Sequence, residues 1–303
     1  MDLNEATQFA RKKFKEKSIA SASLDAEVLL LEAIAIAHRK VTRDKEWLYL
    51  NLKTYELSER EEDIFRDFVR RRITQEPVAY IMGRKEFFGL DLYVDSSTLI
   101  PRSDSELIVE KALEAIEAAD DGLILMDIGT GSGCIPIAIL KSLEQADKGY
   151  RVEKFFADDI SRAALRIARK NARLHGLSDR IDFLDMDLEK ALERLPKGKR
   201  IIITANLPYI APAKYSVLSK NVRAFEPKTA LVSAEKGLHH IKRLIEKFAV
   251  LQDAFRAYSI FLEADPVQMR SIEKIAKKNL NECDIRTFRD LRGKKRVIGI
   301  TRS

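Results

Sequence analysis

The chain reads as an α/β protein: a seven-stranded, mostly parallel sheet ending in an antiparallel C-terminal hairpin, preceded by a small all-helical domain. Three observations predict this. Residues 1–80 carry helical apolar spacing. From residue 123 onward, short apolar runs alternate with helical patterns, as in a parallel sheet covered on both faces. The last two apolar runs are joined by a short connection at Gly293, so one of them must pair antiparallel.

The elements follow in order. "NEATQFARKKFKEK" places Ala6, Phe9, Ala10 and Phe14 on one helical stripe. "SASLDAEVLLLEAIAIAH" opens with a serine cap candidate before a helical face. "LSEREEDIFRDFVRRRI" has Ser58 as N-cap, acids in its first turn and Arg70, Arg71 and Arg72 in its last. That arginine run suits the negative end of the helix dipole and needs no nucleic acid to explain it. Pro77 marks a boundary, so residues 1–80 form the helical domain and residues 81–100 a β-hairpin linker. In the linker Phe87, Phe88, Leu90, Leu92 and Val94 alternate around Gly89. Residues 101–303 open with the helix "SDSELIVEKALEAIEAAD". The strands are then "LILMDIG", "VEKFFADD", "IDFLDMD", "RIIITANLP", "AYSIFLEAD" and the two halves of "CDIRTFRDLRGKKRVIGITRS". The helices between them include "CIPIAILKSLEQA", "SRAALRIARKNARLHG" with Gly176 as C-cap, "AEKGLHHIKRLIEKFAVLQDAF" and "DPVQMRSIEKIAKKNL".

Composition narrows the function classes. No apolar run is long enough to span a bilayer, and the charged N-terminus lacks a signal-peptide core, so a cytoplasmic location is expected. Cys134 and Cys283 form no CxxC pair, and four histidines are scattered, so neither a disulfide framework nor a metal site is expected. The net charge is +7, and it lies entirely beyond the neutral first 83 residues. The helical domain therefore offers no general grip on RNA.

The chemistry concentrates at strand ends. "MDIGTGSGCIPIAI" joins the first strand to its helix through Gly129, Thr130, Gly131, Ser132 and Gly133. These glycines allow a tight turn and a close ligand approach. Cys134 stands where a dinucleotide fingerprint needs glycine, and no P-loop lysine follows. The carboxylate of Asp127 disfavours phosphate and favours a cation. The second strand ends in Asp158-Asp159, a position that commonly holds a ribose diol; the same acids could cap the next helix. Asp187 ends the third strand. Ligands of open α/β sheets sit beyond the carboxyl ends of the strands. A ligand with a ribose, an adenine and a positive charge fits this row, which points to S-adenosylmethionine. The fourth strand then runs into Asn206-Leu207-Pro208-Tyr209, an amide, a proline and a phenol.

With that cluster in place, the chain resembles the release factor glutamine methyltransferase family of class I, Rossmann-like methyltransferases. The resemblance covers nearly the whole chain and rests on "LIPRSDSE", "MDIGTGSGCIPIA", "FEPKTALVSAEKGL", "FLEADPVQ" and "DLRGKKRVIG". It implies methyl transfer from S-adenosylmethionine to the glutamine amide nitrogen in the Gly-Gly-Gln loop of peptide-chain release factors. It also implies that the helical domain recognises this protein partner; separately, the chain is expected to be a monomer with no sequence-specific nucleic-acid binding and no membrane association. By the same resemblance Gly129 to Gly133 wrap the methionine end of the cofactor, Asp159 holds the ribose, and Asp187 and Leu188 flank the adenine. Asn206 borders both the cofactor and substrate sites, and Asn206, Leu207, Pro208 and Tyr209 form the substrate clamp. The family usually has an aromatic residue at Leu188 and proline at Leu207. "NLPY" also resembles the motif of ribosomal RNA adenine dimethyltransferases, but those carry the cofactor loop near the N-terminus. An adenine N6-methyltransferase and a non-catalytic binding relative are the alternatives.

In the implied mechanism the Asn206 side-chain oxygen and the Pro208 carbonyl accept the two N–H hydrogens of the substrate amide, while Tyr209 stacks on its plane. No general base is singled out by the sequence.

Overall fold

The computed structural model describes residues 1–39, 43–119, 122–148 and 151–303. It divides into two compact units, Met1–Gly83 with Ser219–Phe225, and Arg84–Leu218 with Glu226–Ser303.

The first unit holds helices α1 (Leu3–Glu16), α2 (Ala22–Ala37), α3 (Lys45–Leu50), α4 (Glu59–Ile73) and α5 (Val78–Met82). Capping boxes start α1 at Asp2 and Glu5, and α4 at Ser58 and Glu61. Each satisfies backbone donors that an uncapped helix start leaves orphaned, worth about 1 kcal/mol. Ser21 behaves differently from the serine cap expected for α2. Its hydroxyl donates to Asp25 at 2.9 Å and caps nothing. Asp25 also receives the Arg72 guanidinium at 2.8 Å, with both side chains buried. Removing one partner of such a pair costs about 3–5 kcal/mol because a buried charge is stranded. The arginine run is thus paired within the helical unit: Arg70 with Asp67 and Arg71 with Glu76 nearby in the chain, and Arg72 with distant Asp25.

The second unit opens with the hairpin β1 (Arg84–Phe87) and β2 (Leu90–Tyr93), then α6 (Glu106–Glu117). Asp120, which the sequence pattern includes in that helix, lies outside the described residues. The main sheet comprises β3 (Leu123–Ile128), β4 (Val152–Asp159), β5 (Ile181–Asp185), β6 (Arg200–Ala205), β7 (Ala257–Glu263), β8 (Asp284–Arg289) and β9 (Lys295–Arg302). Its order is β5-β4-β3-β6-β7-β9-β8. Pairing is parallel up to β7 and antiparallel at β7–β9 and β8–β9. Every residue of β3 is buried, as a central strand covered on both faces requires.

Between the strands in the chain lie α7 (Cys134–Gln145), α8 (Arg162–Leu174), α9 (Leu188–Leu192), the short segments α10 (Pro212–Tyr215), α11 (Lys220–Phe225), which belongs to the first unit, and α12 (Ala234–Gly237), and then α13 (His239–Leu251) and α14 (Met269–Asn279). Two apolar clusters cover the two faces of the sheet, one built with α13 and α14 and the other with α6 and α7. The helix expected to start at Ala234 is broken. Glu235, Lys236 and Gly237 all take positive φ, and the regular helix begins only at His239. Among the described residues no helix is long and apolar enough to cross a membrane.

Candidate functional site

The site is a row of side chains at the carboxyl ends of β4, β3, β6 and β7. Parallel register sets the row. Ile128 at the end of β3 lies opposite Asp158 on one side and Ala205 on the other, and Ala205 lies opposite Leu262. Asp158, Asp159, Asn206 and Glu263 therefore emerge at nearly one level.

One half of the row is acidic. Asp127 is buried; one carboxylate oxygen accepts from the Thr204 hydroxyl at 2.7 Å, and the other has no partner among the described residues. Burial pushes its pKa up to about 7. Asp158 is buried too, with an orphaned Oδ1; burial first, then the charges of Asp127, Asp159 and Asp187, push it up to about 8. Asp159 is half-buried and its pKa is also raised by burial, against two N–H donors, Gly131 at 2.9 Å and Ser161 at 2.8 Å. Gly129, Gly131 and Gly133 all take positive φ, and a Cβ built at Gly131 meets nothing within 4 Å. Thr130 binds back to the Asp158 carbonyl through its N–H, and the Ser132 carbonyl accepts from buried Asn171. Orphaned carboxylate oxygens around an open, tightly turned loop suit a ligand that carries positive charge.

Asp187 is exposed and pairs with Arg243 at 2.9 Å; it follows β5 and lies just before α9. Leu188 is buried in the apolar cluster beneath it. Burial lifts the Cys134 thiol to about 12, far from a thiolate.

The other half of the row is an ordered polar loop. Strand β6 ends at Ala205, so Asn206 to Tyr209 stand beyond the ladder. Leu207 is buried and turns under the glycine loop: its Cδ2 lies 3.1 Å from where a Gly129 Cβ would stand. Apolar contact with the sheet thus fixes this residue, where proline would have fixed φ. Asn206 Nδ2 donates to Ser105 Oγ at 2.8 Å, Ser105 Oγ donates to Glu263 Oε2 at 2.6 Å, and the Tyr209 hydroxyl donates to Glu263 Oε1 at 2.9 Å. Glu263 is fully enclosed and burial raises its pKa; burial and the neighbouring carboxylate raise that of Tyr209 as well. The Tyr209 carbonyl accepts from Gln268 Nε2 at 2.9 Å. A Cβ at Gly237 would lie 2.0 Å from that carbonyl, so only glycine fits, which explains the broken helix. Neither Asn206 Oδ1 nor the Pro208 carbonyl takes part in a hydrogen bond among the described residues.

Ser105, Gly237, Glu263 and Gln268 all lie within the motifs that carry the family resemblance, yet the sequence assigned none of them a role. Glu263 had a further signal, an acid at the end of a buried strand.

Residues 5–83 match the PrmC N-terminal domain, and residues 119–283 match a methyltransferase domain. The release factor glutamine methyltransferase of Rhodopirellula baltica is 33% identical over 96% of this chain and 93% of its own length. That of Dictyoglomus turgidum is 30% identical over 98% of both chains.

The chain belongs to the release factor glutamine methyltransferase family.

The family member of Nitratidesulfovibrio vulgaris is 36% identical over 78% of this chain and 74% of its own. As a member of the release factor glutamine methyltransferase family, the chain is a protein glutamine methyltransferase. Among solved structures, the hMettl16 catalytic domain in complex with MAT2A 3′UTR hairpin 1 superposes with a TM-score of 0.52 at 19% identity, covering 81% of both chains. At that identity the likeness is one of fold, a Rossmann-like methyltransferase sheet.

Proposed function

We propose that this release factor glutamine methyltransferase transfers a methyl group from S-adenosylmethionine to the side-chain amide nitrogen of the glutamine in the Gly-Gly-Gln loop of peptide-chain release factors. The observation that carries the reading is the orientation of Asn206. Its NH2 group is tied to Ser105, which leaves Oδ1, like the carbonyl of Pro208 two residues on, without a hydrogen bond among the described residues. A primary amide has two N–H donors, and two fixed acceptors match them.

The acidic half supports the cofactor. Asp127 and Asp158, each with an unpartnered buried oxygen, are the counter-charges for a cation, and the Gly129–Gly133 loop leaves room for it. Asp159 holds the ribose diol, Asp187 and Leu188 border the adenine, and Asn206 stands between cofactor and substrate. When bound, S-adenosylmethionine supplies an electrophilic methyl group. The chain's own task is alignment. An amide nitrogen is a weak nucleophile because its lone pair is shared with the carbonyl. Asn206 and Pro208 hold both N–H hydrogens, Tyr209 stacks on the amide plane, and rotation stops. Orientation of this kind contributes about 7–11 kcal/mol in favourable cases. The helical unit Met1–Gly83 serves to recognise the release factor.

The test incubates the chain with methyl-labelled S-adenosylmethionine and either a release factor or ribosomal RNA. Label on the Gly-Gly-Gln glutamine is the expected result; label confined to RNA adenine overturns the reading.

A further inference from the structure

A side-chain amide can point either end toward a substrate, and the two ends ask for opposite chemistry. With Oδ1 outward, Asn206 accepts from an NH2 group. With Nδ2 outward, it would place donor against donor. Nothing in the local sequence "TANLPYI" decides between them. The decision comes from outside the loop.

Ser105 lies just ahead of α6, and Glu263 ends β7. Both are about 2% exposed: Ser105 2%, Glu263 2%. A carboxylate can only accept, and each Glu263 oxygen takes one hydroxyl proton: Oε2 from Ser105 and Oε1 from Tyr209. Ser105 has a single proton and gives it to Glu263. Its oxygen can then only accept from Asn206, and the Asn206 NH2 turns inward to supply that bond at 2.8 Å. Directionality therefore passes from a buried carboxylate through a serine to the unbonded end of the amide. The same carboxylate fixes the edge of the Tyr209 ring.

We propose that Ser105 and Glu263 are the positioning residues of the amide clamp: they form a one-way hydrogen-bond relay that holds Asn206 with its oxygen toward the substrate and selects an NH2-bearing group. This deepens the proposed function and rests on Asn206 as the acceptor of the substrate amide. The relay touches neither substrate nor cofactor. Its work is to fix the sign of one contact and the angle of one ring.

The experiment compares wild type, Asn206→Ala, Ser105→Ala, Ser105→Thr and Glu263→Gln on an intact release factor. It measures kcat and KM for the protein substrate, and S-adenosylhomocysteine binding by calorimetry as a check of fold. Ser105→Ala frees the Asn206 amide to rotate, so kcat falls about tenfold or more with KM for the release factor and cofactor-product affinity held within about twofold. Ser105→Thr keeps a hydroxyl there and restores most of the rate. In Glu263→Gln an amide offers one acceptor oxygen where the carboxylate offers two. Whichever way it sits, Ser105 or Tyr209 loses its acceptor, and kcat falls again. If Ser105→Ala and Glu263→Gln both keep wild-type kcat while Asn206→Ala is inactive, the relay is overturned and the clamp stands. If Asn206→Ala is itself fully active, the proposed function fails first. Equal losses in Ser105→Ala and Ser105→Thr also overturn the relay, since packing and not the hydroxyl would then matter.

Discussion

The acidic and amide halves of the site are built on opposite principles. Around the glycine loop, carboxylates are buried without enough partners: Asp127 and Asp158 each keep an orphaned oxygen, and their pKa values rise to about 7 and about 8. Around the Asn206 loop, polar groups are paired through Ser105, Glu263 and Gln268, and Asn206 Oδ1 and the Pro208 carbonyl are left without a hydrogen bond among the described residues. The first half is held in electrostatic tension that a cation would relieve. The second is saturated, so that it cannot turn. Under the proposed function the site binds a charged group and also aims a weak nucleophile, and it gains from both. Tension sharpens affinity for charge, and saturation sharpens geometry.

Three experiments break or sharpen this contrast. The largest effect is expected from Asn206→Ala, which should lower methyl transfer about 100-fold or more through lost alignment, with cofactor affinity largely intact. A parallel loss of cofactor affinity in a binding titration would show that the two halves are not separable. Next comes pH. Asp127 and Asp158 have folded pKa values raised toward neutrality by burial. A bound cation favours their ionised forms, so affinity should weaken as they protonate. Between about pH 8.5 and about pH 6, S-adenosylmethionine should bind roughly tenfold more weakly, and S-adenosylhomocysteine, without the sulfonium charge, should change less. Calorimetric titrations with identical slopes for both ligands would remove the acids from the sulfonium's surroundings.

The smallest effect concerns stability. A carboxyl whose pKa is raised on folding stabilises fully only below its unfolded value, and that stability is lost as pH rises through the folded value. Asp158→Asn removes the charge that Asp158 carries above about 8. The cofactor-free variant should therefore melt about 2–4 °C higher than wild type near pH 8.5, the shift expected of roughly 1 kcal/mol, and the gain should shrink toward pH 5. A lower melting temperature for this variant at pH 8.5 would mean that the Asp158 charge has an unseen partner.

Much of this molecule is legible in one dimension. The central strands of the sheet read from their apolar runs because a strand buried on both faces has no polar side to confuse the pattern; "LILMDI" is the clearest case. The antiparallel end of the sheet reads from the short connection at Gly293. Failures fall where distant residues override local preference. "AEKGLHHIKRL" has helical composition throughout, yet its first turn is given up. The Tyr209 carbonyl occupies the place of a Gly237 side chain, and Gln268 binds both that carbonyl and the carbonyl of Lys236. Ser21 has the right residue type for a cap, but Asp25 takes its hydroxyl and in turn holds Arg72, 47 positions away.

The sequence by itself determined the alternation of strands and helices, the family, and the residue types at the strand ends, because hydrophobic period and short motifs are local. Tertiary structure decided the polarity of the proposed clamp. Ser105 and Glu263 stand 158 positions apart, and neither belongs to the "NLPY" loop. They meet because β7 lies beside β6 and α6 packs across both. Only that meeting fixes which end of Asn206 faces outward, since the direction of a hydrogen bond is set by the partner and not by the residue that makes it.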